Sequence, residues 1–269
     1  MSSAARTLDL LTLFTAERPE LGLSEFCRLA GRDKATTYRH LSVLAEAGFV
    51  ERDRQSKRYR LGPAILQLAQ TREVTVPRKS SALPVLERLA DVLGETSHAS
   101  VLSGPVLYAL CACQSSAHST RAIIDVPTLP LHATASGLCA LAFGPEDLFG
   151  HASKDMQKFT PNTIQSVADL ADAVDGVRRR GFAHSDGSLE QDVRSLATPL
   201  FDQANRFAGC VAVAAVASRV TANLESKICQ QLVAASREIS RHWGGQIPPQ
   251  LDACWQQLVP SLTAMDRNA

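Results

Sequence analysis

Residues 33–62 join an amphipathic helical pattern to a short alternating pattern, and this pair constrains the fold more than any other feature. In the first part Thr37, Leu41 and Leu44 recur at spacings of four and three, which predicts one buried helix face ending at Gly48. The segments FVERD and RYRLG then alternate polar and apolar residues around the polar turn DRQSK, as the strands of a hairpin do. A helix followed directly by such a hairpin predicts a winged helix-turn-helix.

Two earlier segments complete that motif. ARTLDLLTLFTAE predicts a first helix, and LSEFCRLAG predicts a second helix with Ser24 as its N-cap and Gly31 as its C-terminal stop. The third helix is expected from Lys34 to Gly48. Two short helices joined by a tight turn that contains glycine are the layout of a helix-turn-helix.

Charge is distributed unevenly along the chain. Residues 1–72 carry twelve Lys or Arg and eight Asp or Glu, a net charge of +4, whereas the remainder carries sixteen bases and nineteen acids, a net of −3. A basic module joined to a mildly acidic one predicts that the first binds a polyanion, here double-stranded DNA. The predicted DNA-contacting residues are the outward face of the third helix and the hairpin tip: Lys34, Ala35, Thr36, Tyr38, Arg39, Ser42, Arg54, Lys57 and Arg58. Near Thr36 the backbone N–H groups of the helix start also favour a phosphate.

The residues after 78 predict a second domain of α+β class. SALPVLERLADVLG reads as a helix, and TSHASVLSG and VLYALCAC read as a hairpin across Gly104 and Pro105. Further helices and the strands VRSLATPLFD and FAGCVAVAAVA follow with short connections, which favours an antiparallel sheet flanked by helices. The longest apolar run is too short for a bilayer and the N-terminus lacks a signal-like core, so a cytoplasmic protein without a membrane partner is expected.

The cysteines leave two alternatives open. Seven cysteines at irregular spacings do not predict a disulfide framework. Cys111 and Cys113 would share one face of a strand and suit a redox or metal sensor. An enzyme that kept a DNA-binding domain could use Cys111, Cys113 or Cys139 with His98 or His132. The chain contains no nucleophile-elbow, metal-binding or phosphate-loop signature, so no catalytic residue, metal or cofactor is predicted.

Several stretches together resemble the IclR family of bacterial transcriptional regulators. They are ARTLDLLTLF, the helix-turn-helix segment, RYRLGPAILQLA, PLHATASGLCALAF, GFAHSDGSLEQDVRSLATPLFD and GCVAVAAVASRVT, in family order from residue 5 to about 243. The resemblance implies a winged helix-turn-helix over 1–62, a linker helix over 63–77 and a GAF-like effector-binding domain over 78–245. Residues 246–269 form a C-terminal extension beyond the usual family end.

The resemblance also implies partners and a ligand site. Family members act as homodimers or homotetramers on palindromic operators, and a small organic molecule switches them; many govern catabolic genes for carboxylic acids or aromatic compounds. Repression and activation use the same parts, so the sign is not predicted. The positions that match the family's effector site are Ala135, Ser136, Ser185, Ser195, Ala212 and Ala214.

Departures from the family pattern bear on the effector. Leu138 stands where the family often has Lys, and Gly187 and Ser188 stand where acidic residues are common. These changes lower polarity and favour a more apolar effector, such as an aromatic acid. For His98, on the first strand of the second domain, the sequence favours a structural hydrogen-bonding role; donation to a ligand carboxylate is the alternative, and on that ground His98 is included among the effector residues.

Overall fold

The chain forms two compact units, Met1–Pro77 and Arg78–Ala269, in a computed structural model. The structure describes residues 2–15 and 17–265, with side chains through 258. The last four residues of the predicted C-terminal extension lie outside the described part. No described helix is long and apolar enough to cross a membrane.

The N-terminal unit is a winged helix-turn-helix. Its elements are α1 (Ser3–Asp9), a 3₁₀ turn (Leu10–Leu13), β1 (Glu20–Leu21), α2 (Leu23–Ala30), α3 (Lys34–Glu46), β2 (Val50–Arg52), β3 (Tyr59–Leu61) and α4 (Pro63–Thr75). The three strands form an antiparallel sheet in the order β1–β3–β2. The hairpin β2–β3 confirms the predicted wing, whereas β1 was not predicted because two residues are too few to show an alternation.

The helical stripe predicted for α3 is confirmed. Thr37, Leu41 and Leu44 are all buried, and the two leucines belong to the core of this unit. The Ser24 N-cap is wrong: the cap lies two residues earlier, at Gly22, because Glu25 accepts a hydrogen bond from the Gly22 N–H at 2.8 Å. Gly31 ends the helix in the left-handed conformation, with φ at 63°, which is strained for residues with a side chain.

The second unit is an antiparallel sheet flanked by helices, as predicted for an α+β fold. Its elements are α5 (Arg78–Leu93), β4 (Thr96–Ser103), β5 (Val106–Cys113), α6 (Ala135–Phe143), α7 (Asp147–Ala152), α8 (Val167–Arg180), β6 (Ala183–Asp186), β7 (Val193–Phe201), β8 (Phe207–Val216), α9 (Ala222–His242) and α10 (Pro249–Met265). The strand order is β5–β4–β8–β7–β6, and every pair is antiparallel.

The two faces of this sheet support separate cores. Along β8, Val211 and Val213 pack with α5 and α9, while Cys210 and Ala212 pack with α6 and α8. This division follows from the two-residue period of a strand. The central strand is therefore apolar throughout, as its sequence predicted.

The C-terminal extension packs on its own domain. Trp255 of α10 is fully buried, and its indole N–H donates to the Gly181 carbonyl at 2.9 Å. Gly181 has φ at 72° and ends α8, and a Cβ there would lie 2.6 Å from the Trp255 ring nitrogen. The extension thus closes over the α8–β6 junction, whereas the sequence left its place undecided.

Candidate DNA-binding surface and effector cavity

The outward face of α3 carries the predicted DNA-contacting residues. Lys34, Ala35, Tyr38 and Arg39 are exposed, and Ser42 is half-buried, with its hydroxyl bonded to the Tyr38 carbonyl at 3.0 Å. Within the described residues neither Lys34 nor Arg39 takes part in an ion pair. The face therefore offers two uncompensated cations around an exposed phenol ring.

The start of α3 differs from expectation. Asp33 is the N-cap, and its carboxylate accepts a hydrogen bond from the Thr36 N–H at 2.8 Å, which lowers the pKa of Asp33. The Thr36 N–H is therefore occupied, and a negative charge already sits at the helix N-terminus. The Thr36 hydroxyl also hydrogen-bonds to Asp33, so both polar groups of Thr36 that could meet a phosphate are engaged by the cap.

The wing tip presents two of its three predicted cations. Asp53 orders the turn by accepting hydrogen bonds from the N–H groups of Gln55 and Ser56, at 2.9 and 2.6 Å. Lys57 has φ at 58°, which turns the chain back into β3. Arg54 and Lys57 are exposed at the tip, where they can reach a sugar-phosphate backbone.

Arg58 is placed differently from the prediction. Its guanidinium lies 2.8 Å from the Glu25 carboxylate and donates to the Glu20 carbonyl at 2.8 Å. The side chain therefore ties the wing to α2 and β1 instead of pointing to solvent. Its acidic partner lies more than 30 residues away in sequence, which is why the charge pattern alone did not reveal it.

The second site is a cavity over one transverse row of the larger sheet. Backbone pairing places Thr96 beside Ala214, Ala214 beside Ser195, and Ser195 beside Ser185. Ala214, Ser195 and Ser185 all line the cavity. Three residues from separate motifs of the sequence thus meet on one face, as the resemblance implied.

The turn before α6 forms one end of the cavity. Thr134 is the N-cap of α6; its hydroxyl accepts from the Gly137 N–H and donates to the Pro130 carbonyl, both at 2.9 Å. A Cβ at residue 137 would lie 2.4 Å from the Pro130 carbonyl oxygen, so only glycine allows this close approach. The turn thereby places Thr134 and Ser136 in the cavity wall.

His98 is a buried polar residue of the cavity wall. Its Nε2 lies 3.3 Å from the Ser136 hydroxyl, and its Nδ1 is buried with no hydrogen-bond partner in the described structure. Burial lowers the pKa of His98 to about 4, so the ring is neutral at physiological pH. A buried polar atom without a partner is costly, and a ligand atom at this position would satisfy it.

A cover that the sequence did not predict forms the outer wall of the cavity. It consists of an irregular segment and the β6–β7 connection, contributing Ala122, Ile123, Ile124, Val126, Leu129, Leu189, Glu190 and Val193. The cavity has a volume of about 50 Å³. The Thr96 hydroxyl fastens the segment by donating to the Ala122 carbonyl at 2.6 Å. Irregular segments show no periodicity, so no sequence pattern marked these residues.

Two predicted effector residues do not line the cavity. Ala135 and Ala212 are buried in the core beneath α6 instead. Ala212 pairs with His98 and Ala197, two residues further along the same face of the sheet, where α6 packs directly on the strands. Family matching could not distinguish these two positions from their neighbours, because the depth of each side chain depends on the packing of α6.

Comparison with known proteins identifies the family. Residues 75–241 match the model for the bacterial transcriptional regulator IclR C-terminal domain, and residues 3–54 match the IclR helix-turn-helix domain. The chain belongs to the IclR family. It is accordingly a DNA-binding transcriptional regulator with an effector-binding domain.

Relatives of this IclR-family regulator align along nearly the whole chain. The glycerol operon regulatory protein of Streptomyces coelicolor is 28% identical over 90% of this chain and 94% of its own length. The Pca regulon regulatory protein of Pseudomonas putida is 27% identical over 89% of this chain and 83% of its own. A crystal structure of an IclR transcriptional regulator from Silicibacter sp. TM1040 is 39% identical, with a TM-score of 0.87, over 92% of this chain and 98% of that one.

The alternative roles of the cysteines gain no support from their surroundings. Burial raises the pKa of Cys113 and of Cys139, which keeps both thiols protonated and poorly nucleophilic. His132, a candidate base, is engaged with the Gln157 carbonyl at 2.8 Å. No group of three or more His, Cys, Asp or Glu suited to a metal ion occurs in the described part of the chain.

A wider cleft of about 1000 Å³ opens at the other end of the sheet of this IclR-family domain. Its walls include Arg78, Arg178 and Arg206, but Arg78 stacks on Trp243 and the other two pair with Asp175 and Asp202. The cations are thus largely compensated. The small cavity at His98 is the better candidate for a specific ligand.

Two substitutions in the wing of this regulator distinguish a residue that contacts DNA from a residue that stabilises the wing. Arg54→Ala is expected to lower the slope of log affinity against log salt by about 0.9, the value for one lost phosphate contact, with unchanged stability. Arg58→Ala is expected to destabilise the N-terminal unit by on the order of 1–2 kcal/mol, because a carbonyl and a carboxylate lose their shared donor. Anisotropy over a salt series and unfolding followed by circular dichroism measure the two effects. Equal salt slopes for both variants would contradict the assignment.

His98 is expected to make the C-terminal unit acid-sensitive. The folded ring has a pKa of about 4, below the ordinary 6.5, so the unfolded chain takes up the proton first as the pH falls. The contribution of His98 to the free energy of unfolding is therefore fully present above about pH 6.5. It declines by about 3 kcal/mol as the pH falls to 4. Denaturant unfolding followed by tryptophan fluorescence measures this, because Trp243 and Trp255 both lie in this unit. The His98→Gln variant should show a flatter decline, and an equal decline would refute the role of His98.

Proposed function

We propose that this IclR-family regulator changes its operator binding when a small organic acid with an apolar body, such as an aromatic acid, enters the cavity at His98. The observation that carries the proposal is the buried, unpartnered Nδ1 of His98, a residue that lines the cavity of the effector-binding domain. The proposal uses the tautomer in which the Ser136 hydroxyl donates to Nε2, so that Nδ1 carries the proton and donates to the ligand.

The start of α6 supplies the remaining donors for a carboxylate. Thr134 already occupies the Gly137 N–H, so the N–H groups of Ala135 and Ser136 are left at the helix N-terminus, and Ser136 is the one of the two that lines the cavity. Such groups bind anions without a cationic side chain. The apolar side chains of the cover, including Ile123, Ile124 and Val126, would enclose the body of the acid.

Binding of an aromatic acid would require the cover to move. The volume of about 50 Å³ holds a few water molecules and no benzene ring. Ile123 is 55% exposed, so an outward shift of its side chain would uncover little additional apolar surface. This displacement is the step that would carry the ligand signal away from the cavity.

In the DNA-binding unit we assign base and phosphate contacts to Lys34, Tyr38 and Arg39 of α3, and backbone contacts to Arg54 and Lys57 of the wing. Two copies would read the halves of a palindromic operator. The helix α4 supports self-association, because none of its residues is buried within the chain and Leu66, Leu68 and Val74 are exposed. A second copy of α4 would cover these side chains.

The relatives support control of a defined gene set by a small molecule. The two regulators from Streptomyces and Pseudomonas are named for the glycerol operon and the Pca regulon. An IclR homolog from Microbacterium hydrocarbonoxydans that shares this fold was crystallised with 4-hydroxybenzoate. We place this chain in the same mode of action, with an organic acid as its signal in control of catabolic genes.

A thermal-shift screen with matched DNA binding tests the proposal. The full-length protein is titrated with benzoate, 4-hydroxybenzoate and short aliphatic acids, with and without DNA from its own upstream region. An acid that raises the melting temperature should change operator affinity on the order of 5- to 150-fold, and operator should change acid affinity by the same factor. His98→Gln should abolish the shift. Acids that stabilise wild type and His98→Gln equally would place the site elsewhere.

A further inference from the structure

The cavity at His98 has an uneven charge distribution. Its polar lining consists of neutral groups, namely the hydroxyls of Thr134, Ser136, Ser185 and Ser195 and the His98 ring, and no Lys or Arg is among the described lining residues. Glu190 is the one charged residue in that lining. A ligand in this cavity therefore meets uncharged donors and a single negative charge.

The donors and the acid belong to different parts of the cavity wall. His98 on β4 and Ser136 at the start of α6 are buried, with 4% and 2% of their surfaces exposed, and their side chains meet at the inner end of the cavity. Glu190 is exposed and lies in the β6–β7 connection, where its carbonyl accepts from the Val193 N–H at 3.1 Å. A ligand held by its carboxylate at the inner end would direct its other end toward Glu190.

We propose that this cavity selects acids with one carboxylate and rejects dicarboxylates, with Glu190 as the specificity-determining residue. The inference rests on the proposed function, since it concerns the ligand of the same site. One carboxylate is accommodated because helix N–H groups, a hydroxyl and an imidazole can replace its hydration. A second carboxylate finds no cation to compensate its desolvation and faces a charge of its own sign.

Matched acids test the selectivity on the full-length protein. The probes are two pairs that differ by one carboxylate, benzoate with terephthalate and hexanoate with adipate, titrated calorimetrically at constant ionic strength. In at least one pair the monocarboxylate should bind at least ~10-fold more tightly than its partner, the size of effect expected of a like-charge contact. Glu190→Gln should reduce that ratio several-fold by strengthening dicarboxylate binding, with monocarboxylate affinity changed less than twofold.

A control variant tests whether the effect depends on the position of the charge. Different results would contradict the selectivity and the proposed acid-sensing function. Glu146→Gln removes the same charge from an exposed position outside the cavity lining and should leave the ratio unchanged. Dicarboxylates that bind wild type as tightly as their partners would overturn the selectivity while the acid sensor stands. A preference that persists in Glu190→Gln would remove the role of that residue. Failure of all four acids to bind or to alter operator affinity would count against the proposed function itself.

Discussion

Replacement of Arg39 by alanine is expected to weaken operator binding on the order of 10- to 100-fold per chain, the range measured for losing one specific arginine contact. Arg39 is exposed on the outward face of α3 and has no acidic partner within the described residues. Its charge is therefore available for DNA without breaking an internal interaction. The opposite face of the helix, with Thr37, Leu41 and Leu44, holds the fold and is not disturbed by the change.

Two further variants make this result interpretable. Arg39→Lys keeps the charge but loses the planar fork, so recovery by lysine indicates a phosphate contact and failure to recover indicates bidentate base reading. Arg206→Ala removes an equal charge from an exposed loop of the other unit and should leave operator affinity within twofold. Anisotropy with labelled operator measures all three. Loss of effector binding together with DNA binding in Arg39→Ala would show that the residue is structural.

A large loss of stability is expected when the ion pair between Glu95 and Arg219 is broken. The guanidinium donates to both carboxylate oxygens at 2.7 Å and to the Thr120 carbonyl at 2.9 Å, and only 1% of the Glu95 side chain is exposed. Hydrogen bonding to Glu95 raises the pKa of Arg219. Removal of one partner leaves a buried charge uncompensated, so Arg219→Met should destabilise the C-terminal unit by about 3–5 kcal/mol.

Two further variants distinguish the effect of the unpaired buried charge from the effect of lost packing. The double variant Glu95→Gln with Arg219→Met should recover a substantial part of the stability, because no ionised group then remains unpaired. Arg88→Met breaks an exposed ion pair with Glu238 and should cost less than about 1 kcal/mol. Denaturant unfolding followed by Trp243 and Trp255 fluorescence reports all of them. A double variant less stable than Arg219→Met would show that the pair acts through packing and not through its charge.

The same ion pair connects the fold to the ligand site. Arg219 donates a hydrogen bond to the Thr120 carbonyl, and Thr96 donates one to the Ala122 carbonyl. Both acceptors lie at the start of the segment that covers the cavity. Effector affinity in Arg219→Met should therefore fall even at temperatures where the domain remains folded. This is a consequence of the structure that the sequence could not supply, since Glu95 and Arg219 are separated by 124 residues.

Local patterns in the sequence were sufficient for the larger elements. The stripe of Thr37, Leu41 and Leu44 and the stop at Gly31 follow from helix periodicity and from glycine's access to positive φ, and both are present. The apolar run of β8 was correctly read as a buried strand. Short elements were not predicted: β1 has two residues and β6 has four. The helix α10 was not predicted because prolines interrupt its apolar pattern. Periodicity needs length before it becomes a signal.

What the sequence by itself determined is the order of the domains, the type of each long element and the chemistry available on each face. The tertiary structure alone decided which of those groups are free to act. Arg54 and Arg58 are alike in sequence, yet Glu25 engages only Arg58; Ala212 and Ala214 are alike, yet α6 covers only Ala212. Side-chain availability depends on partners brought together from distant parts of the chain, and no local pattern encodes those partners.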